Sequence, residues 1–348
     1  MPNNKTASFD LAAASQRVLE TIEREREREI IARRFGLFDR RETLEQIGEL
    51  LGITRERVRQ LEKAILVRLR AQAAAGKLSG GAEAERVLIK HLVELGRVAT
   101  LSDLATAIGG SDRGEAHVAL LAAVLPGLSV VDENDQFRAS VAIAEYYDDK
   151  RVKDEVSAIV KEITALGQPV SSEDLHNRLS KFEHPEHIRA LASVSKQLAT
   201  LGGLWGLIRW PLVNPKNIRD KIYVVLKDAE QPMHFSEIAE AIKASSFRRK
   251  DVTTQAIHNE LIKDKRFVLI GRGIYALNEW GYKKGTVADV ITEVLQKAGK
   301  PLHRDEIVKR VLKSRQVKET TILLNLQGKA QFKRVAKATY TLAEPAQA

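Results

Sequence analysis

The strongest constraint on the fold is a block of sequence that occurs twice. Gln231-Pro-Met-His-Phe-Ser-Glu-Ile-Ala-Glu-Ala-Ile242 lines up with Lys300-Pro-Leu-His-Arg-Asp-Glu-Ile-Val-Lys-Arg-Val311. Ahead of each lies a stretch with helical apolar spacing, Ile222, Val225 and Leu226 in one copy and Ile291, Val294 and Leu295 in the other. Each block is followed by a third helical stretch and then by two apolar runs around a small turn. The runs are 267–277, around Gly271-Arg272-Gly273, and 332–342, around Ala336-Lys337-Ala338. Three helices closed by a hairpin of that size make a winged helix.

A third copy begins at Gln168-Pro-Val-Ser-Ser-Glu-Asp-Leu-His-Asn-Arg-Leu179, follows Ile159 and Ile163, and closes at 204–210. Pro169, Pro232 and Pro301 mark the same slot in the three copies. A fourth, less regular copy fits 84–140, with Val130, Val131, turn residues 132–136 and Phe137 as its hairpin. His234, His303, Tyr275 and Tyr340 recur with the fold, which makes them packing and turn residues rather than ligands.

The first eighty residues follow a different rule. Leu19 to Arg34 reads as one helix, supported by i,i+4 pairs such as Glu20 with Arg24 and Glu29 with Arg33, its Glu/Arg run a solvated face. Gly36 ends it. Thr43-Leu-Glu-Gln46 is a capping box ahead of Leu44, Ile47 and Leu51. Gly52 turns the chain, and Thr54 caps a second helix with Val58, Leu61, Ile65 and Leu69 on its buried stripe. The other face of that helix carries Arg55, Glu56, Arg59, Gln60 and Lys63, so the pair is a helix-turn-helix with an Arg-rich outer face. Such a face suits the major groove, where Arg reads guanine, Glu accepts from cytosine and Gln bonds adenine. A helix-turn-helix also serves as a structural or protein-binding module. Seven Lys+Arg against two Asp+Glu over 55–77 favour DNA.

The run EREREREIIARRFGL followed by TLEQIGELLGITRERVRQLEKAILVRLR resembles region four of the sigma-70 family of transcription initiation factors, over about residues 14–72. The resemblance implies a domain that reads a −35-type promoter element and seats on core RNA polymerase. It also implies that Arg55, Glu56, Arg59 and Gln60 face bases and nearby phosphates, with Lys63, Thr54 and Thr43 completing the DNA-binding set. A full sigma factor carries upstream melting domains, which the few residues before this one do not match, so the expectation is a reader without autonomous promoter opening. PMHFSEIAEAI together with HNELIKDKRFVLIGRGIYAL, within about 217–282, resembles the HARE-type helix-turn-helix of the RNA polymerase delta subunit.

Charge follows this division. Residues 1–80 carry 16 Lys+Arg and 12 Asp+Glu, residues 81–213 carry 14 and 19, and residues 214–340 carry 26 and 14, within a chain of net charge +10. A basic surface favours a polyanionic partner. Arg272 and Lys337, at the tips of the last two hairpins, are the candidate backbone contacts.

With no cysteine among 348 residues, disulfides, Cys-based zinc sites and thiol catalysis are excluded. His184 and His187 are the one close histidine pair; Pro185 lies between them and nothing completes a metal set, so they are placed in a solvated loop. No phosphate-cradling glycine loop and no Gly-x-Ser-x-Gly elbow occurs. The expectation is a non-enzymatic protein without cofactor, metal or small-molecule substrate.

It is mainly α: a sigma-type domain at 10–75, then winged helices at 82–145, 150–213, 216–283 and 284–344. The function expected is that of a bacterial DNA-binding transcription factor, acting on promoter-like duplex with core RNA polymerase, off the membrane, in the cytoplasm and nucleoid-associated. Two alternatives stand beside it: a delta-like polymerase adaptor that binds mainly protein, and a nucleoid or DNA-modification-system protein that binds duplex without sequence preference.

Overall fold

The protein, described here as a computed structural model, is resolved into structure at residues 9–109, 113–247, 249, 251–282, 285–313 and 317–343. It divides into two compact bodies, Met1–Arg209 and Trp210–Ala348. The expected domain ends at 283, 284 and 344 lie outside the described residues.

The first body opens with four helices, α1 (Leu11–Glu20), α2 (Glu25–Phe35), α3 (Leu44–Leu51) and α4 (Arg55–Ala74). One order of elements then occurs twice: helix, short strand, helix, helix, hairpin. The first pass is α5 (Gly81–Leu95), β1 (Val98–Thr100), α6 (Leu101–Ala107), α7 (Gly114–Val124), β2 (Leu128–Val131) and β3 (Ser140–Ile143). The second is α8 (Asp149–Leu166), β4 (Val170–Ser171), α9 (Ser172–Arg178), α10 (Pro185–Val194), β5 (Leu198–Leu201) and β6 (Leu204–Leu207).

The second body repeats the order twice more. Its third pass is α11 (Ile218–Ala229), β7 (Met233–His234), α12 (Phe235–Ala244), α13 (Thr254–Lys263), β8 (Phe267–Gly271) and β9 (Ile274–Leu277). The fourth is α14 (Val287–Ala298), β10 (Leu302–His303), α15 (Arg304–Leu312), α16 (Glu319–Gly328), β11 (Phe332–Ala336) and β12 (Thr339–Leu342). In every pass the short strand pairs antiparallel with the last one, giving β1-β3-β2, β4-β6-β5, β7-β9-β8 and β10-β12-β11.

Three expectations are corrected. The helix over 19–34 is two helices: α1 ends at Thr21, Arg24 is extended, and Glu20 and Arg24 are not on one helix, whereas Arg33 and Glu29 do pair at 2.9 Å. The break lets Ile22 enter the main apolar core while Ile30 enters a smaller one. The Glu/Arg run is a solvated face only in part: Glu23 to Arg26 are exposed, but Glu27 is buried and its carboxylate accepts from Arg68 of α4 at 2.6 Å. In the first repeat the returning strand is 140–143, and Phe137 instead bridges Ser195 in the second repeat.

The cores explain how the first body holds together. One runs from Leu11 and Val18 of α1, through Ile65 and Leu69 of α4, into Leu88, Leu104, Leu121 and Val141 of the first repeat. The four-helix part and the first repeat therefore bury their apolar faces together. Helix α7 packs against α1, α2 and α4 as well as α6, and Val118, Leu120, Leu121, Ala122 and Val124 are all buried. Helix α10 packs against α8, α9 and β1, with His187, Ile188, Ala190, Leu191, Ala192 and Val194 buried. By contrast, α13 buries Ile257 and Leu261, and α16 buries Ile322 and Leu326.

The hairpins of the third and fourth repeats share a register, Gly271 opposite Ile274 and Ala336 opposite Thr339, each after a bulge. The second turn residue lies in the left-handed region in both, Gly273 at φ 70° and Ala338 at φ 56°. For alanine that conformation costs about 1–2 kcal/mol, against about 0.5–1 kcal/mol of extra chain entropy for glycine. Ala338→Gly is therefore expected to stabilise the second body by about 0.5–1 kcal/mol in urea unfolding. Gly273→Ala is expected to destabilise it, because a Cβ there collides with the His234 ring. A neutral or negative effect of Ala338→Gly would refute the turn assignment.

Candidate nucleic-acid interface

The candidate site is the surface of α4, and local rules set its position. Gln46 N donates to Thr43 Oγ1 at 3.2 Å and Thr43 N donates to Gln46 Oε1 at 2.8 Å, so α3 starts at the expected capping box. Gly52 turns the chain at φ 63°, and Thr54 Oγ1 accepts from Arg57 N at 3.2 Å to start α4. Ile30, Ile47 and Val58 form the small core that fixes α2, α3 and the front of α4. Further back, Ile65 and Leu69 plug α4 into the larger core.

Ion pairs between helices reinforce this. Arg34 Nε lies 3.2 Å from both oxygens of Glu62, locking α2 to α4, while Arg33 Nη1 donates to Glu42 at 2.8 Å just ahead of α3. Arg26 donates to the Leu51 carbonyl at the end of α3. Each clamp engages a carboxylate or carbonyl on a neighbouring segment, so together they set how far the start of α4 projects.

Arg55, Glu56, Arg59, Gln60 and Lys63 are all exposed on this surface. Glu56, Arg59 and Gln60 are joined: Arg59 Nε and Nη2 donate to the two Glu56 oxygens at 2.8 and 2.7 Å, and Gln60 Nε2 donates to Glu56 Oε1 at 3.2 Å. The Arg59 fork holds the Glu56 carboxyl down at about 2, and Glu56 in turn raises Arg59. Arg55 is held separately by Glu45 of α3 at 2.8 Å, a partner the sequence reading did not pick out. Thr43 and Thr54 use their hydroxyls on backbone amides. Arg272 and Lys337 belong to the second body, each exposed at a hairpin tip.

Behind its first turns, α4 forms one wall of a groove of about 1180 Å³. Arg59, Lys63, Val67 and Arg70 line that wall, with Ala116 and Ala119 of α7 and the acidic pair Asp132 and Glu133 among the other lining residues. The basic stripe of α4 thus passes from open surface into a cleft lined by both basic and acidic side chains, with Glu133 held by Lys196 at 2.7 Å.

His184 is exposed at the N-cap of α10, outside the helix, but His187 is not in a solvated loop: it is buried on α10. Pro185 is the first residue of α10, as its fixed φ and missing N–H allow. The two rings meet edge to face at 5.5 Å, and burial pushes the His187 imidazole down from its ordinary value. Among the described residues no group of three or more His, Asp or Glu side chains is arranged to hold a metal ion. None of the described helices is long and apolar enough to cross a membrane.

With this geometry in place, comparison with known proteins is informative over one segment. Residues 24–71 match the family Sigma-70, region 4. The RNA polymerase sigma factor RpoD of Helicobacter pylori is 47% identical over 64 residues, 18% of this chain and 9% of that protein. The RNA polymerase sigma factor SigA of a Bacillus species is 45% identical over 62 residues, 18% of this chain and 16% of that protein. The chain thus spans under a fifth of the length of these curated relatives. The segment carrying α2, α3 and α4 is a sigma-70 region 4 helix-turn-helix.

The Glu56–Arg59 pair yields a direct test. A carbon-13 NMR titration should find Glu56 half-protonated at about 2. In Arg59→Ala it should return to the usual carboxylate range of about 4.3. Since the folded value is the depressed one, what the ionised pair adds to the helix start is complete above the ordinary carboxylate range and lost as pH falls towards about 2. The same titration in both proteins would mean that the fork is absent in solution.

Proposed function

We propose that the protein is a non-enzymatic, DNA-binding transcription factor whose helix-turn-helix reads a promoter-like duplex of the −35 type, acting with core RNA polymerase in the cytoplasm at the nucleoid. The observation that carries this reading is the outward polar face at the start of α4, in a segment that matches sigma-70 region 4. In this reading α4 enters the major groove with Arg55, Glu56, Arg59 and Gln60 towards base edges. Lys63 meets a phosphate, and the α3 terminus capped by Thr43 lies against the backbone. Glu56 pre-sets the Arg59 fork, which lowers the ordering cost of a two-pronged contact.

The four repeats are read as winged helices at 82–145, 150–213, 216–283 and 284–344, the third of HARE type. The recurring element order and sheet order support this reading. In the second body, Arg272 and Lys337 are exposed at the two hairpin tips, and of the two Lys337 is read as the position from which a flanking backbone is reached.

The test begins with a preferred duplex selected from a random library by the full-length protein. Arg55→Ala and Gln60→Ala should each cost about 1–3 kcal/mol on that duplex and flatten the preference over random sequence. Equal loss on both duplexes would move these residues to phosphate contacts. If neither substitution matters, α4 is not a base reader.

A further inference from the structure

The third and fourth repeats share a register but have diverged in what their hairpins expose. In the third, Val268, Ile270 and Ala276 form a second apolar layer packed against Trp280 and Tyr282, which covers the face they share, while Leu269 between them is exposed. The register puts Lys333 at the place of Val268, Arg334 at that of Leu269 and Val335 at that of Ile270. Among the described residues none covers these side chains. All of β11 after Phe332 is exposed.

Basic groups in the two repeats also differ in how they are used. In the third, Arg266 is held by Asp220 and Asp264, and Lys227 by Glu279. In the fourth, residues 320–343 contain Lys329, Lys333, Arg334 and Lys337 and no Asp or Glu. Among the described residues no ion pair engages any of the four. Arg334 donates through Nε to the Ala336 carbonyl at 3.2 Å, which holds it at the turn. A charged group without an internal partner adds nothing to the fold, whereas a polyanion pairs with it on releasing a counterion.

The geometry suits a duplex backbone better than a point ligand. Lys333 and Lys337 are four residues apart along β11 and its turn, at most about 13 Å at about 3.3 Å per residue. That length runs past several charges of a duplex, which carries one per about 1.7 Å of axis. Beside the hairpin, α16 leaves Lys318, Thr320 and Gln327 exposed, with Glu319 as its single carboxylate.

We propose that the fourth repeat is a second, sequence-blind binding site for the phosphate backbone of a nucleic-acid duplex, built on Lys333, Arg334 and Lys337, and that the third repeat is not. This goes beyond the reading of α4, and its test is independent of that reading. Arg272 stands alone on its hairpin, beside apolar positions that are largely covered.

The experiment uses the full chain and a random-sequence duplex, titrated between about 50 and 200 mM salt. Lys333→Ala/Arg334→Ala/Lys337→Ala should reduce the slope of log affinity against log salt by about 2–3, at about 0.9 per lost phosphate contact. Arg272→Ala should leave the slope unchanged, and so should the wild-type preference for a selected duplex over random sequence in the triple variant. Because all three side chains are exposed, an unchanged urea midpoint confirms that the triple variant folds. The triple variant is then repeated on an Arg55→Ala/Gln60→Ala background. If that background loses no sequence preference while the slope still falls, the α4 reading fails and the fourth-repeat site stands. An unchanged slope overturns the proposal, including the case in which the triple variant loses binding to polyglutamate instead, which would identify an acidic protein surface as the partner.

Discussion

The first body depends on a helix that has almost no polar face. Helix α7 reads Gly-Glu-Ala-His-Val-Ala-Leu-Leu-Ala-Ala-Val, apolar nearly all round, and a helix of that kind is stable in water only when covered on more than one side. Its own repeat supplies α6 and β2 for one side, and the four-helix part supplies α1, α2 and α4 for the other. Burying apolar area contributes about 25 cal/mol per Å², so separating these parts would expose the largest side chains of the shared core. The sigma-type helix-turn-helix is thereby built into the same packed core as the first repeat.

That constraint gives α4 two jobs along one helix. Its front is held by the small core of Ile30, Ile47 and Val58 and presents polar side chains to solvent. Its rear, Ile65 and Leu69, is anchored in the core that α7 completes. Arg113, at the start of α7, donates to the carbonyls of Leu37 and Phe38, which pins the loop leading to α3 as well. In the proposed reading, the helix that enters the groove is therefore aimed by the first repeat, and a loosened α7 would shift it without touching any DNA-facing residue.

Much of this was legible in the sequence because it rests on local chemistry. The capping box at Thr43 and Gln46, the turn at Gly52, the Thr54 cap and the hairpins around Arg272 and Lys337 each need only a few neighbouring residues of fixed type. What was missed is non-local. Glu27 sits in a run that looks solvated, and its strongest partner, Arg68, is 41 residues away. The helix break at 21–24 reflects the need of Ile22 and Ile30 to reach different cores, a demand no i,i+4 pattern contains. The strand at 140–143 escaped notice because Ser140 and Ala142 give little strand signal, while Phe137, the more strand-like residue, is used to bridge the next repeat. In the candidate site the exposed face was readable, but the Glu45–Arg55 pair and the groove behind the first turns of α4 depend on tertiary placement.

The same fold has been put to two uses, and the third helix of each repeat records which. Where that helix is apolar all round, as in α7, or is roofed by a neighbouring repeat, as α10 is by β1, its surface is spent on assembling the first body. Where its sequence is Glu-Thr-Thr-Ile-Leu-Leu-Asn-Leu-Gln-Gly, as in α16, two residues are buried, Thr321, Leu323 and Asn325 are half-buried, and the others are exposed. A helix cannot both be covered by protein and offer its side chains to a ligand. In the proposed reading, recognition by the repeats therefore falls to the second body, and within it the hairpin layer separates the third repeat, packed by Trp280 and Tyr282, from the fourth, left open and basic.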